Sequence, residues 1–141
     1  MFVLDERLKA DTYHMGDLPL CSLLLMNDAQ YPWIILVPRR AQVTEIFQLS
    51  AADQAMLWHE TARVSEALKD CFSVEKINVA ALGNVVKQLH MHAVGRRVGD
   101  AAWPGPVWGA KPPVLYSADQ VAEVRSKLIS VLGDTVEWCE S

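Results

Sequence analysis

The sequence has few cysteines and no surplus of positive charge, and both shortages narrow the classes of protein to consider. Its three cysteines are an odd number without a C-x-x-C pair, which argues against a disulfide framework and a cysteine-based zinc site. The formal net charge is −4, so the sequence shows no basic stripe of the kind that binds polymeric nucleic acid. A small phosphorylated ligand stays open, because it needs only a few local donors.

Long apolar runs are also scarce. The longest, at 23–26 and 33–38, are far too short to span a bilayer. The first seven residues become charged at Asp5 and lack the basic-then-apolar pattern of a signal peptide. We therefore expect a protein of the reducing cytoplasm with no membrane partner.

The chain has the size and composition of one globular domain. It has 141 residues, of which 51% are hydrophobic and 21% are charged. This balance supplies enough apolar material for a sizeable core, so we predict a single domain over 1–141.

Hydrophobic periodicity predicts an α+β fold. Consecutive strands joined by short turns pair antiparallel, so we expect an antiparallel sheet with helices packed on one face. Ser50 and Ser117 are predicted to cap the two main helices. In chain order the predicted elements are a helix at 4–10, strands at 12–15, 20–26 and 33–37, a helix at 50–72, strands at 76–82 and 85–94, an irregular loop at 99–113 and a helix at 117–133.

The predicted strand at 85–94 carries three polar side chains with period two. Gln88, His90 and His92 share one face, while residues 89, 91 and 93 form an apolar face that can pack under the long helix. A neutral imidazole can attack phosphorus, and a second imidazole can donate to a phosphoryl oxygen. The amide can orient a neighbouring ring, because the tautomer of a histidine follows its hydrogen bonds.

Two other interpretations of this strand stay open. A His-x-His pair taken alone is most often a solvated polar face. It can also share a zinc ion, although the spacing shows no third ligand. Arg96 and Arg97, just beyond the strand, are weaker candidates for phosphate contact, and Trp103 and Trp108 are expected to pack.

Residues 87–94, Lys-Gln-Leu-His-Met-His-Ala-Val, resemble the signature of the histidine triad (HIT) family of nucleotide hydrolases and transferases. That signature is His-φ-His-φ-His-φ-φ, with φ apolar, and Gln88 stands at its first histidine. The resemblance covers roughly 12–105 and includes the two strand-like runs at 23–38. Trp103-Pro104 is similar to a segment of the nucleoside phosphoramidase branch, and 103–109 resembles small bacterial HIT-like proteins with Gln in the first position.

The resemblance implies a role for each matching residue. His90 is the nucleophile that attacks an α-phosphorus to form a nucleotidyl-histidine, which water cleaves. His92 contacts phosphate, and Gln88 orients His90 by a hydrogen bond. Asn27 binds the ribose hydroxyls, and Asn84 contacts phosphate.

The resemblance also implies a HIT-like fold with about five antiparallel strands, a homodimer and no required cofactor. The implied substrate is a dinucleoside polyphosphate or a nucleoside phosphoramidate. Two alternatives remain: a nucleotide-binding module without significant turnover, because Gln88 cannot ionise, or a metal-binding protein that uses His90 and His92. Trp33 stands where some branches place a histidine near the base, and it is as plausible in the core.

Overall fold

All strand pairs of the sheet are antiparallel, as the short predicted turns imply. The computed structural model describes residues 1–140 and has the strand order β4-β5-β3-β2-β1-β6. Within that part of the chain, no helix is both long and apolar enough to cross a membrane. The strands are β1 (Thr12–Asp17), β2 (Cys21–Met26), β3 (Trp33–Pro38), β4 (Lys76–Ala80), β5 (Met91–Arg96) and β6 (Glu137–Trp138). The helices are α1 (Glu6–Asp11), α2 (Ala51–Cys71) and α3 (Ala118–Leu132), with short 3-10 helices at Ile46–Gln48 and Gly133–Thr135.

The predicted caps of the two main helices are confirmed. The hydroxyl of Ser50 accepts a hydrogen bond from the backbone N–H of Asp53 at the start of α2. Ser117 and Gln120 exchange two bonds at the start of α3, which is a complete capping box. These bonds satisfy backbone donors that would otherwise be unpaired, so the helices begin where the sequence indicates.

The strand predicted at 85–94 is wrong in its first half, and the strand predicted at 76–82 is two residues too long. The ladder between β4 and β5 ends at the pair Ala80 and His92, because the chain leaves the sheet through Gly83, whose φ is +75°. Leu89 then donates its N–H to the carbonyl of Val43 at 2.9 Å, outside any strand. Val86 and Leu89 of this segment pack against opposite clusters, although no strand within residues 1–140 pairs with the segment.

Different parts of the chain pack against the two faces of the sheet. On one face, Met91 and Ala93 pack beneath α2 in the main core, as predicted. On the other face, a second cluster forms around Trp33 and Val94. Residues from the N-terminal segment and from the 99–113 region, including Leu8, cover it. The face that bears the histidines is therefore largely closed.

Arg96 holds the irregular region after β5 in place. Its guanidinium donates to both carboxylate oxygens of Asp100 at 2.9 Å, to the side chain of Asn78 and to the carbonyl of Gly105. Both partners of the ion pair are almost fully buried. Arg96 therefore has a structural role, and its guanidinium, which the sequence offered as a weaker candidate for phosphate contact, is occupied by these partners. Arg97 is exposed.

Candidate active site

His90 and His92 lie side by side at the start of β5. Their ring centroids are 4.9 Å apart, and both side chains are buried. His92 belongs to the strand and is paired with Ile35 of β3, whereas His90 precedes the strand by one residue. The structure therefore brings together the two imidazoles that the sequence placed on one face.

Gln88 contacts His90 through its main chain and uses its side chain elsewhere. His90 donates from Nδ1 to the backbone carbonyl of Gln88 at 2.6 Å. The side-chain amide of Gln88 instead accepts from the N–H of Asp5 at 2.9 Å and donates to the carbonyl of Val3 at 2.8 Å. The predicted bond from this amide to His90 is wrong, because the amide ties down the N-terminal segment.

These bonds determine the tautomer of His90. A carbonyl oxygen only accepts, so Nδ1 of His90 must hold the proton. The neutral ring then has a free lone pair on Nε2. That nitrogen is the nucleophilic atom of an unprotonated imidazole.

His92 has the opposite tautomer. Trp33 donates from its indole Nε1 to Nδ1 of His92 at 3.0 Å, and an indole N–H only donates. In the neutral ring the proton therefore lies on Nε2. Burial lowers the pKa of His92 to about 3, and the neighbouring His90 adds to this shift. The ring is neutral near pH 7 and presents an N–H donor.

The site consequently pairs an acceptor with a donor. His90 offers a lone pair and His92 offers an N–H, in adjacent rings that water reaches poorly. Attack at a phosphoryl group needs a nucleophile and a donor to the oxygen that gains charge. The arrangement suits that chemistry.

Indole rings enclose His92. Trp33 and Trp108 lie with their ring centroids 5.8 Å and 5.3 Å from His92, and 6.0 Å from each other. Trp108 packs against the second cluster, as predicted. The ring of Trp103 lies 5.7 Å from the guanidinium of Arg96 and packs against that buried group. Sequence reasoning missed the bond from Trp33, because β3 and β5 are not consecutive strands.

A cavity of about 220 Å³ lies beside His90. One wall is the loop at 44–47 and the other is the turn at 81–83, with Gln88–His90 between them. Asn84 directly follows this turn, and its side chain is exposed. No hydrogen bond within the described part of the chain joins Asn84 to either histidine.

Asn27 lies at the end of β2 and has a structural partner. Its side-chain oxygen accepts from the backbone N–H of Tyr116 at 2.9 Å. Among residues 1–140 no hydrogen bond connects Asn27 with His90 or His92. In the same residues, no group of three or more His, Cys, Asp or Glu side chains is placed to hold a metal ion.

Comparison with protein families places the chain in a known group. The family model described as the HIT domain matches residues 7–99, which is more than half of the chain. A search of curated proteins finds no match.

Three solved structures resemble the whole fold. A histidine triad protein from Marinobacter aquaeolei is 50% identical, with a TM-score of 0.93, and the match covers 96% of this chain and 98% of that one. A histidine triad protein from Bradyrhizobium japonicum is 49% identical, with a TM-score of 0.90 and coverages of 92% and 97%. A histidine triad (HIT) protein from Sinorhizobium meliloti is 46% identical, with a TM-score of 0.92 and coverages of 94% and 98%.

Proposed function

The chain belongs to the histidine triad family, and on that premise we propose that it is a nucleotide hydrolase or nucleotidyl transferase. The reaction cleaves at the α-phosphate of a dinucleoside polyphosphate or a nucleoside phosphoramidate. The observation that carries this proposal is the pair of opposite tautomers in His90 and His92. No cofactor is required, because both groups that the reaction needs are side chains.

His90 is the proposed nucleophile. Its Nε2 forms a bond to the α-phosphorus while the bond from phosphorus to the leaving atom breaks with its electron pair. A nucleotide leaves as an anion, whereas an amine takes a proton from solvent. Water then attacks the phosphorus, the bond to Nε2 breaks, and a nucleoside monophosphate and neutral His90 are released with a proton lost to solvent.

His92 is proposed to stabilise the phosphoryl oxygens. Because its pKa is about 3, His92 stays neutral near pH 7 and donates a hydrogen bond from Nε2. The Trp33 bond keeps that proton on Nε2 before substrate arrives. A donor oriented in advance, in a site that water reaches poorly, stabilises developing charge better than a mobile one.

Gln88, Asn84 and Asn27 are assigned supporting roles. Gln88 orients His90 through its carbonyl. Asn84 is assigned a phosphate contact at the edge of the cavity, because its exposed side chain directly follows the lining residue Gly83. Asn27 keeps its amide N–H₂ for a ribose hydroxyl, since its oxygen already accepts from Tyr116.

A covalent adduct tests the proposal. Protein mixed with adenosine 5′-phosphoramidate and quenched in milliseconds should show the mass of an added adenylyl group, located on His90. The variant His90→Ala should show none. The control His14→Ala removes an exposed histidine that pairs with Asp17 and should leave the adduct intact. Turnover by His90→Ala at the rate of the unmodified protein would refute the proposal.

A second candidate is a nucleotide-binding module without turnover. It is favoured by the residue at the first position of the motif, because glutamine does not ionise. The Gln88 amide is also engaged by Val3 and Asp5. This candidate predicts that calorimetry detects binding of AMP while mass spectrometry detects neither adduct nor product. Activity that appears only in Gln88→His would favour it.

The functional form is proposed to be a cytoplasmic homodimer. Among residues 1–140, β4 is an outer strand of the sheet with no neighbour on one side, and it carries the exposed apolar residue Val79. An unpaired edge is a template for pairing with another strand. Val79→Asp should shift the mass measured by light scattering from dimer to monomer, whereas Val131→Asp on α3 should not.

A further inference from the structure

A second cavity, of about 330 Å³, lies at the far end of β5 from His90. Its walls are the turn at 29–32, the segment 71–74 that ends α2, Arg97 and one side of α3. Arg97 follows β5 whereas His90 precedes it, so the two lie about 23 Å apart along the strand. Val124 of α3 belongs to the main core, which places the cavity on the helix side of the sheet, opposite the histidine face. Its volume is within the range of about 300–1,000 Å³ that is typical of small-molecule sites.

Three side chains that line this cavity are hydrogen-bond donors without an acceptor in residues 1–140. The exposed guanidinium of Arg97 has no ion pair there, although its backbone N–H donates to Asp100 at 3.1 Å. The side-chain oxygen of Gln120 accepts from the N–H of Ser117 at 2.8 Å, and its N–H₂ is left unused. Burial raises the pKa of Tyr116 to about 12, so its unpaired hydroxyl keeps the proton and can donate. Such a set of donors suits an anionic ligand.

The charges that line the cavity also favour an anion, although the whole chain has a net charge of −4. Arg97 and Lys127 are positive and Glu123 is negative. The ammonium of Lys127 lies 3.4 Å from the carboxylate of Glu123, but both are exposed and such a pair is weak. Asp28, whose charge also raises the pKa of Tyr116, does not line the cavity, and one of its oxygens already accepts from three N–H groups. The end of α2 and the start of α3 contribute opposite partial charges that offset each other, so the side chains determine the sign.

An apolar wall lies beside these donors. Pro32, Phe72 and Val74 form it, and Val74 is buried. Pro32 and Val74 pack so closely on β5 that a Cβ added at Gly95 would lie 2.8 Å and 2.9 Å from their side chains. A wall held this tightly needs little rearrangement when a ligand binds, which lowers the entropic cost of binding. The cavity can therefore hold an apolar body next to an anionic group.

We propose that this cavity is a binding site for a small anion that carries one phosphate or carboxylate group on a compact apolar body. Arg97 pairs with the anionic group, and Tyr116 and Gln120 donate to its oxygens. The apolar body packs against Phe72. This site is additional to the proposed function and does not depend on it, because it shares no lining residue with the cavity beside His90.

Backbone amide shifts in NMR spectra test the site without any turnover. The probes are phenyl phosphate, benzoate and the uncharged benzyl alcohol. Phenyl phosphate or benzoate should cause saturable shifts at 71–74 and 116–127, and the tighter of the two identifies the anionic group. Benzyl alcohol should bind at least about 5-fold more weakly, because it cannot pair with a guanidinium. Equal affinity for the alcohol, shifts confined to 88–94, or no saturable shift with either anion would overturn the proposal.

Variants of the lining residues identify the groups that bind the anion. Arg97→Gln should weaken the tighter probe by about 5-fold or more, and Arg97→Lys should weaken it less, because it keeps the charge. Tyr116→Phe should weaken it by about 2- to 10-fold through the loss of one neutral donor. Lys111→Gln is the matched control, because Lys111 is an exposed cation outside the cavity, and its affinity should not change. Unchanged affinity in Arg97→Gln overturns the proposal. None of these variants alters a residue assigned to the nucleophilic site, so failure here and failure of the proposed chemistry are separate results.

Discussion

The indole N–H of Trp33 donates to Nδ1 of His92 at 3.0 Å and so determines which nitrogen of that ring holds the proton. The two residues lie on neighbouring strands, where Trp33 is paired with Val94 and His92 is paired with Ile35. They meet diagonally on one face of the sheet, which is a distance that aromatic side chains can span.

Removal of this donor should change the tautomer of His92. In Trp33→Phe the buried Nδ1 loses its partner, and we expect the free energy of unfolding to fall by about 1–3 kcal/mol, with more lost if the smaller ring leaves a cavity. Nitrogen NMR should show the proton on Nε2 in the unmodified protein and a mixture in the variant. Trp138→Phe, which loses an indole bond to the carbonyl of Gly133, should leave the His92 signals unchanged. Identical spectra for Trp33→Phe and the unmodified protein would contradict the assignment.

Burial of neutral His92 should make the protein sensitive to acid. The pKa of His92 is about 3 in the fold and about 6.5 when unfolded, so the unfolded chain binds more protons between these values. The stabilising contribution is complete above pH 6.5 and is lost as the pH falls toward 3, at a rate of at most about 1.4 kcal/mol per pH unit.

Urea denaturation at pH 7, 6 and 5 measures this loss. His92→Asn retains an oxygen that can accept from Trp33 but has no group that titrates in this range. We expect the variant to lose clearly less stability than the unmodified protein over these values. Parallel curves would show that His92 is not the titrating group.

Loss of the Gln88 amide should release the N-terminal segment. In Gln88→Ala both bonds to Val3 and Asp5 disappear, and hydrogen exchange over residues 2–8 should become faster. Gln88→Glu keeps the acceptor for Asp5 but places an oxygen against the carbonyl of Val3, so its exchange should be intermediate or fast at pH 7. Exchange over 51–71 should not change in either variant. Unchanged protection at 2–8 would mean that the apolar contacts of this segment hold it without Gln88.

The ion pair between Arg96 and Asp100 should be far more important for stability than an exposed pair. In Asp100→Ala the buried guanidinium of Arg96 loses its charge partner, and we expect a loss of about 3–5 kcal/mol. Arg40→Ala removes a pair with Asp53 in which Arg40 is half exposed, and it should cost no more than about 1 kcal/mol. Urea midpoints with equal slopes provide the comparison. Similar losses in the two variants would show that the Arg96 pair is solvated.

Local features of the fold were predictable from sequence because they depend on near neighbours. A cap needs a residue three positions away, and the alternation of a strand places Met91 and Ala93 in the core without further information. The bond between Trp33 and His92 spans 59 positions and depends on the order of strands, which the sequence does not reveal. The failure of the strand prediction at 85–90 has the same origin, since alternation persists where no partner strand exists.

Charged and polar residues with distant partners were the hardest to place. Arg96 was only a weaker candidate for phosphate contact, and the sequence did not indicate that Asn78 and Asp100 bind its guanidinium inside the protein. Gln88 was predicted to reach His90 with its amide, but the N-terminal segment, 83 positions away, takes that amide. A polar side chain reveals which bonds it can form, but its partners depend on tertiary structure.

The carbonyl of Gln88 has a consequence for how the motif itself is understood. Every amino acid has this oxygen, so alignment of the His90 ring survives any change of side chain at position 88 that leaves the backbone in place. A consensus sequence treats glutamine at this position as the loss of a histidine. The atom that binds the His90 ring, however, is a backbone oxygen that every residue type has. The exchange instead changes what the side chain of residue 88 can bind, because an amide both accepts from the N–H of Asp5 and donates to the carbonyl of Val3, which belong to two successive peptide groups.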